Sequence, residues 1–225
     1  MSNHRAVTRE LINESITADE ERAYMTWWAA RPPHEAAGMR DYSAALRELF
    51  RSLQALMIRK VDPAAAEVQA LIDQWNQTAL RYQLRKTMLE LMEWNASIAQ
   101  KWFDVGRRAL TRSVSSVETA AADDVWAYFI MGVKASSWSQ ALDRLLEEAA
   151  VLSKETVASS STPARALAQR LAQICRVHCL GDPVIYARWA GSFGQMRQEN
   201  RSTEFKPQRR AAWEYLARVS EEAAP

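Results

Sequence analysis

The sequence has few of the residues that punctuate, cross-link or metallate a chain. Six glycines and seven prolines in 225 residues leave long stretches with nothing to interrupt a helix. There are two cysteines, Cys175 and Cys179, one helical turn apart around His178. On a helix they face the same way, too close in register for an ordinary disulfide, and they read as small apolar residues on a buried face. Three histidines (His4, His34, His178) do not supply a zinc ligand set, and none has a glutamate three positions before it, as a di-iron helix bundle requires. No metal and no cofactor are expected.

Long apolar runs are also missing. No stretch reaches the roughly 18 residues of a membrane span, and residues 1–15 are polar and charged rather than a signal peptide. No membrane association and a cytoplasmic location are the expectation. Charge is nearly balanced, 29 basic against 27 acidic residues. No Lys/Arg-rich run stands out, Arg107-Arg108 and Arg209-Arg210 being only doublets, so no phosphate-binding stripe is read and nucleic acid is not an expected partner. Catalytic signatures are missing as well: no phosphate-cradling glycine loop, no HExxH, no nucleophile elbow. The adjacent carboxylates Asp123-Asp124 and Glu147-Glu148 diverge on a helix rather than converge on a substrate. No catalytic residue is assigned, and the chain is read as a non-enzyme.

What the chain does have is helical periodicity. Leu46, Leu49, Phe50, Leu53, Leu56 and Met57 recur at helical spacing. Asp62-Pro63 is expected to cap and start the next helix, through Val68, Leu71, Ile72, Trp75 and Leu80. Thr162-Pro163 is expected to do the same later, and Gly181-Asp182-Pro183 to close one helix and open another. No segment alternates as a strand does. The expectation is an all-α protein of about ten to twelve helices.

The chain also repeats itself. Residues 17–25 align with 121–129 at an offset of 104. Ala45-Leu46 and Leu49 meet Ala141-Leu142 and Leu145 at 96, as do Leu56 and Leu152, Val61 and Val157, and Ala70-Leu71 and Ala166-Leu167. Trp94, Ser97 and Gln100 meet Trp189, Ser192 and Gln195 at 95. The change in offset falls at residues 31–38, expected as an extra loop in the first copy. Two tandem units, 1–112 and 113–225, follow, joined through the small-residue stretch 112–120.

Nine tryptophans are the compositional outlier. Trp27 and Trp28 head the first copy, and Trp126, Phe129 and Trp138 the second. Trp75 and Tyr82 lie seven apart, Trp94 and Trp102 eight apart, so each pair shares a helix face. His178 stands where Tyr82 stands in the first copy. An aromatic stripe at helical spacing is usually core, but so many rings interleaved with amides suit a pocket for a flat, amide-containing ligand. The candidate ligand-binding residues are Trp75, Tyr82, Trp94, Trp102, Trp126, Phe129, His178, Trp189 and Phe193 as walls, and Asn95, Gln100 and Gln195 as polar contacts.

Residues 68–75 (Val-Gln-Ala-Leu-Ile-Asp-Gln-Trp) and 166–171 (Ala-Leu-Ala-Gln-Arg-Leu), followed by Cys179-Leu180-Gly181-Asp182-Pro183, resemble motifs of the TipA-type antibiotic-binding domains. Leu171 stands where the family has a tryptophan that Trp75 keeps in the first copy, and Leu180 stands at a family glycine. The resemblance covers about residues 17–200. It implies compact, globin-like helical units that bind thiopeptides and other large, ring-rich antibiotics, in many members behind a MerR-type DNA-binding domain. With two units and no such domain expected here, the chain is most similar to the stand-alone albicidin-resistance members. That similarity implies high-affinity sequestration of an albicidin-like drug, alternatively a thiopeptide, in a groove or tunnel formed by both halves and without chemical modification. A monomer is the working oligomeric state. The alternatives are a ligand-responsive regulator that lacks its own DNA-binding domain and a helical protein-interaction module.

Overall fold

The computed structural model describes the backbone of residues 2–114, 122–198 and 207–223, and side chains within 6–33, 35, 38–112, 124–192 and 209–223. Among these residues there are ten α-helices and no strand. They are α1 Ser2–Ser15, α2 Ala18–Ala29, α3 Pro33–Ile58, α4 Ala66–Arg81, α5 Leu84–Val114, α6 Ala122–Ala135, α7 Ser137–Lys154, α8 Thr162–Val177, α9 Pro183–Gln198 and α10 Pro207–Ala223. The all-helical expectation is met. No helix among the described residues is long and apolar enough to cross a membrane.

The helix starts follow side-chain chemistry. Thr17 and Glu20 form a reciprocal capping box at the start of α2. Ser136 caps α7 and Ser161 caps α8, one residue before the expected Thr162, because Pro163 fits the second helical position. Asp182 accepts from the backbone N–H groups of Val184 and Ile185, which starts α9 at Pro183 as expected. Asp62 behaves differently from the expectation. Its carboxylate accepts from Ala64 N–H at 2.7 Å, which builds a separate turn, and α4 begins only at Ala66. The extra residues at 31–38 are not a loop either. Pro33 opens α3 and Glu35 lies in its first turn, where the helix dipole favours a carboxylate.

Several helix ends match one another in backbone conformation. Four non-glycine residues among those described have positive φ: Lys60 (56°), Gln83 (49°), Thr156 (54°) and Cys179 (54°). They form two pairs, Lys60/Thr156 and Gln83/Cys179, each 96 positions apart. At Lys60, Val61 N–H donates to Leu56 O at 3.1 Å; at Thr156, Val157 N–H donates to Leu152 O at 3.0 Å. Both are six-to-one Schellman closures, and Leu180 N–H on Cys175 O makes a third at the end of α8. The turns that follow α3 and α7 match as well: Ala65 N–H bonds Asp62 O, and Ser161 N–H bonds Ala158 O. A tyrosine hydroxyl then donates to each closing carbonyl, Tyr128 to Val61 O at 2.8 Å and Tyr215 to Val157 O at 3.2 Å.

By packing, the chain divides into two compact units. Unit 1 is Met1–Thr78 with Trp94–Ala135, and unit 2 is Ala79–Glu93 with Ser136–Pro225. This division follows contacts, whereas the halves 1–112 and 113–225 follow sequence repetition, and the two differ. Helix α5 contributes residues 84–93 to unit 2 and 94–114 to unit 1. Its helical course breaks at Asn95 (φ −159°, ψ 97°), whose side-chain oxygen accepts from Ile98 N–H and so caps the second segment.

In unit 1, α6 lies close on α4. A Cβ at Gly132 would come within 3.0 Å of Val68 Cγ1, and Gln69 Nε2 donates to Gly132 O. Phe50, Leu53, Val68, Ile72 and Val125 are fully buried there. Leu11, Ile12 and Ile16 of the α1 segment form a second cluster with Val105 and Ala109 of α5. In unit 2, α10 packs on α7, α8 and α9 around Leu145, Leu171, Leu180, Tyr215 and Leu216.

Candidate aromatic ligand site

Tyr24, Trp27 and Trp28 fall at i, i+3 and i+4 of α2 and so share one face of it. That face meets Trp94 and Trp102 of the unit 1 segment of α5. Tyr24 stacks on Trp102 with centroids 3.9 Å apart and planes at 16°. Tyr24 also lies 6.5 Å from Trp27 and 6.2 Å from Trp28. Trp27 meets Trp28 edge to face at 5.1 Å and Trp94 at 6.0 Å with a 33° tilt. The Arg31 guanidinium sits 3.8 Å from the Trp27 centroid and pairs with Glu35 at 2.7 Å.

This seam of five rings is not a closed core. Tyr24, Trp27, Trp28 and Trp102 are half-buried and Trp94 is 42% exposed. Lys101 clamps its edge, with Nζ 2.7 and 2.9 Å from the two Glu20 oxygens. That hydrogen bond, with the capping bond from Thr17, holds the Glu20 carboxyl below its usual range. Burial raises the Tyr24 hydroxyl, and a hydrogen bond with Trp28 pulls it the other way. The indole Nε1 of Trp102 is buried with no hydrogen-bond partner among the described residues. The opposite face of α2 (Ala18, Glu21, Arg22, Met25, Thr26, Ala29) borders an open concavity of about 700 Å³, with Met25 56% exposed.

The residues expected as ligand walls separate into three groups. Trp94 and Trp102 belong to the seam. Trp75, Trp126 and Phe129 belong to a second cluster in unit 1, with Phe50 and Phe103. Phe129 is 3% exposed and lies 5.2 Å from Trp75, 5.3 Å from Phe50 and 5.4 Å from Trp126. Phe50 and Phe129 are buried at the centre of this cluster, as core residues are, while Trp75, Trp126 and Phe103 are half-buried around them. Trp189 belongs to unit 2, where it meets Tyr186 at 5.8 Å; Tyr186 in turn meets Trp213 at 5.9 Å. The buried Arg85 guanidinium lies 5.4 Å from both the Tyr186 and Trp189 rings and donates to Leu180 O at 3.3 Å. Tyr82 and His178 occupy the residues that end α4 and α8, and Arg81 lies over the Tyr82 ring.

Among the polar candidates, Asn95 uses its side chain as a helix cap and Gln100 is half-buried on α5. Phe193 and Gln195 lie outside the described side chains. Tyr24, Trp27 and Trp28 were not among the expected wall residues, although their helical spacing signals a shared face. No cluster of potential metal ligands occurs among the described residues. No protein-family model, no curated protein and no solved structure matches the chain.

Proposed function

We propose that the protein binds a large, flat, multi-ring small molecule at the α2–α5 seam and holds it without altering it. The observation that carries this reading is that none of the five rings on the two facing helices is buried and Trp94 is 42% exposed, whereas the second cluster has Phe50 and Phe129 buried at its centre. A site keeps π faces within reach of a ligand. The unsatisfied Trp102 N–H supports a ligand with amide or phenol oxygens, since an acceptor reaching it would offset a buried donor worth about 1–3 kcal/mol.

The TipA-type resemblance, read with these rings, points to a ring-rich antibiotic of the albicidin type and to resistance by sequestration in the cell. The repeated helix ends at Lys60/Thr156 and Gln83/Cys179 support descent of the chain from two tandem copies of one unit. Sequestration needs affinity that rivals the drug's own target, on the order of −8 to −12 kcal/mol. Several stacked rings at roughly 0.5–1.5 kcal/mol each, added to apolar burial, reach that range.

The test is a titration of tryptophan fluorescence with albicidin, and with a thiopeptide for comparison, followed by recovery of the drug. Saturable quenching at sub-micromolar concentration with intact drug recovered is the expected result. Absence of any response to both ligands, or recovery of cleaved drug, overturns the proposal.

A further inference from the structure

Helix α2 differs from the other nine in one respect: none of its residues is buried, whereas each of the others has at least two buried side chains among those described. It is held to unit 1 by ring contacts and ion pairs rather than by buried aliphatic side chains. These are the Tyr24–Trp102 stack, the tilted Trp27–Trp94 contact, and the ion pairs Glu20–Lys101 and Arg9–Glu21. Non-helical residues bound it on both sides, Thr17 (ψ 159°) and Pro32 (ψ 138°), so α2 is a separate piece from α1 and α3. On the face away from the rings, Ala18, Arg22, Met25, Thr26 and Ala29 are exposed.

We infer that α2 is a movable wall, which swings off α5 so that a planar ring of the ligand enters between Trp27 and Trp94. This rests on the binding reading above and adds where the ligand goes and what moves. The geometry sets the requirement. A ring held face to face between two others needs about two van der Waals thicknesses, roughly 7 Å between the outer planes. Trp27 and Trp94 are 6.0 Å apart and 33° from parallel, so they must part slightly and align. No residue of α2 is fully buried, so the movement uncovers the outer face of Trp102 and leaves the aliphatic cluster behind it packed.

Amide hydrogen exchange on the full chain tests this first without ligand. The α2 amides are expected to exchange at least about 100-fold faster than those at the centres of α7 and α8, and Lys101→Met is expected to speed α2 further while leaving α7 and α8 unchanged. Exchange of α2 as slow as that of α7 and α8 overturns the inference. Saturating albicidin is then added. Slowed exchange across α2, lost in Trp27→Ala and Trp94→Ala but kept in Trp27→Phe, supports insertion. Albicidin binding that protects other helices and leaves α2 unchanged overturns insertion while the binding reading stands. No albicidin binding at all overturns the binding reading and the inserted ligand with it.

Discussion

Tyr24 lies flat on Trp102, and the indole of Trp102 packs in turn against the buried cluster of Leu11, Ile12, Ile16, Val105 and Ala109. Trp102 is thus both part of the seam and packed on a core cluster, while Trp94, eight residues earlier on the same helix, is 42% exposed. The two rings respond differently to truncation. Trp102→Ala is expected to destabilise the protein by about 2–4 kcal/mol, somewhat below the range for fully buried tryptophan. Trp94→Ala is expected to cost less than about 1 kcal/mol and to weaken albicidin binding at least tenfold. Phe129→Ala, deep in the second cluster, is expected to cost about 3–5 kcal/mol. Urea denaturation alongside the fluorescence titration separates these outcomes. A large stability loss in Trp94→Ala would make that ring structural.

The left-handed helix ends hold stability in reserve. Thr156 is β-branched and sits at φ 54°, where a side chain costs roughly 1–2 kcal/mol and glycine almost nothing. Glycine returns part of that gain through the greater freedom of the unfolded chain, about 0.4–1 kcal/mol. Thr156→Gly is therefore expected to stabilise by about 0.5–1 kcal/mol, seen as a higher urea midpoint with an unchanged slope. Lys60→Gly, at the matching position of α3, is expected to act in the same direction. A loss of stability in both would show that the side chains at these ends contribute contacts larger than the backbone cost.

The helix-turn-helix segments were legible in the sequence because their apolar spacing and their turn residues agree. Val61 and Val157 align in sequence, and their amides close the same cap. Other features were not legible, for physical reasons. The α1 helix begins in a polar segment, and its apolar anchor is short: Val7, Leu11, Ile12 and, just past its end, Ile16. The stretch at 31–38 contains prolines and a glycine, which suggest a loop, yet proline at the first helical position promotes the helix it seemed to interrupt. The matching roles of Tyr128 and Tyr215 lie 87 positions apart, in Trp126-Ala127-Tyr128 and Trp213-Glu214-Tyr215, so a search at 96 or 104 passes over them. Sequence spacing also places rings on helix faces but not faces against one another. It brought Trp94 and Trp102 together and could not separate them from Trp75 and Phe129, which pack elsewhere.

The two cysteines should differ sharply in reactivity. Cys175 is buried on α8, and burial pushes its thiol up to about 12. At pH 8 only about one molecule in ten thousand then carries the thiolate that reacts. Cys179 lies just past the helix end and is half-buried. An aromatic disulfide reagent at pH 8 is expected to modify one thiol per chain quickly, lost in Cys179→Ser, and the second only on unfolding in denaturant. Rapid modification of two thiols in the native protein would show that α8 opens far more readily than its packing suggests.

Acid should release α2 before the rest of the protein unfolds. The Glu20 carboxyl is held below its ordinary value, first by the Lys101 hydrogen bond and then by the capping bond with Thr17. A carboxylate depressed in the folded state contributes stability above its unfolded value near 4.5, and that contribution is lost as pH falls through the lower folded value. The pair is partly exposed, 24% at Glu20 and 38% at Lys101, so its worth is about 0.2–1 kcal/mol, small for the whole protein. For α2 the loss is large in proportion, because nothing on this helix is buried. Between pH 6 and pH 3, α2 amide exchange, corrected for its intrinsic pH dependence, is expected to accelerate several-fold relative to α8. Glu20→Gln, which removes the charge while keeping the shape, should show the accelerated behaviour already at pH 6 and lose most of the pH response. If the variant and the parent protein follow the same pH profile, the Lys101–Glu20 pair does not hold α2, and the stacked rings alone keep the seam closed.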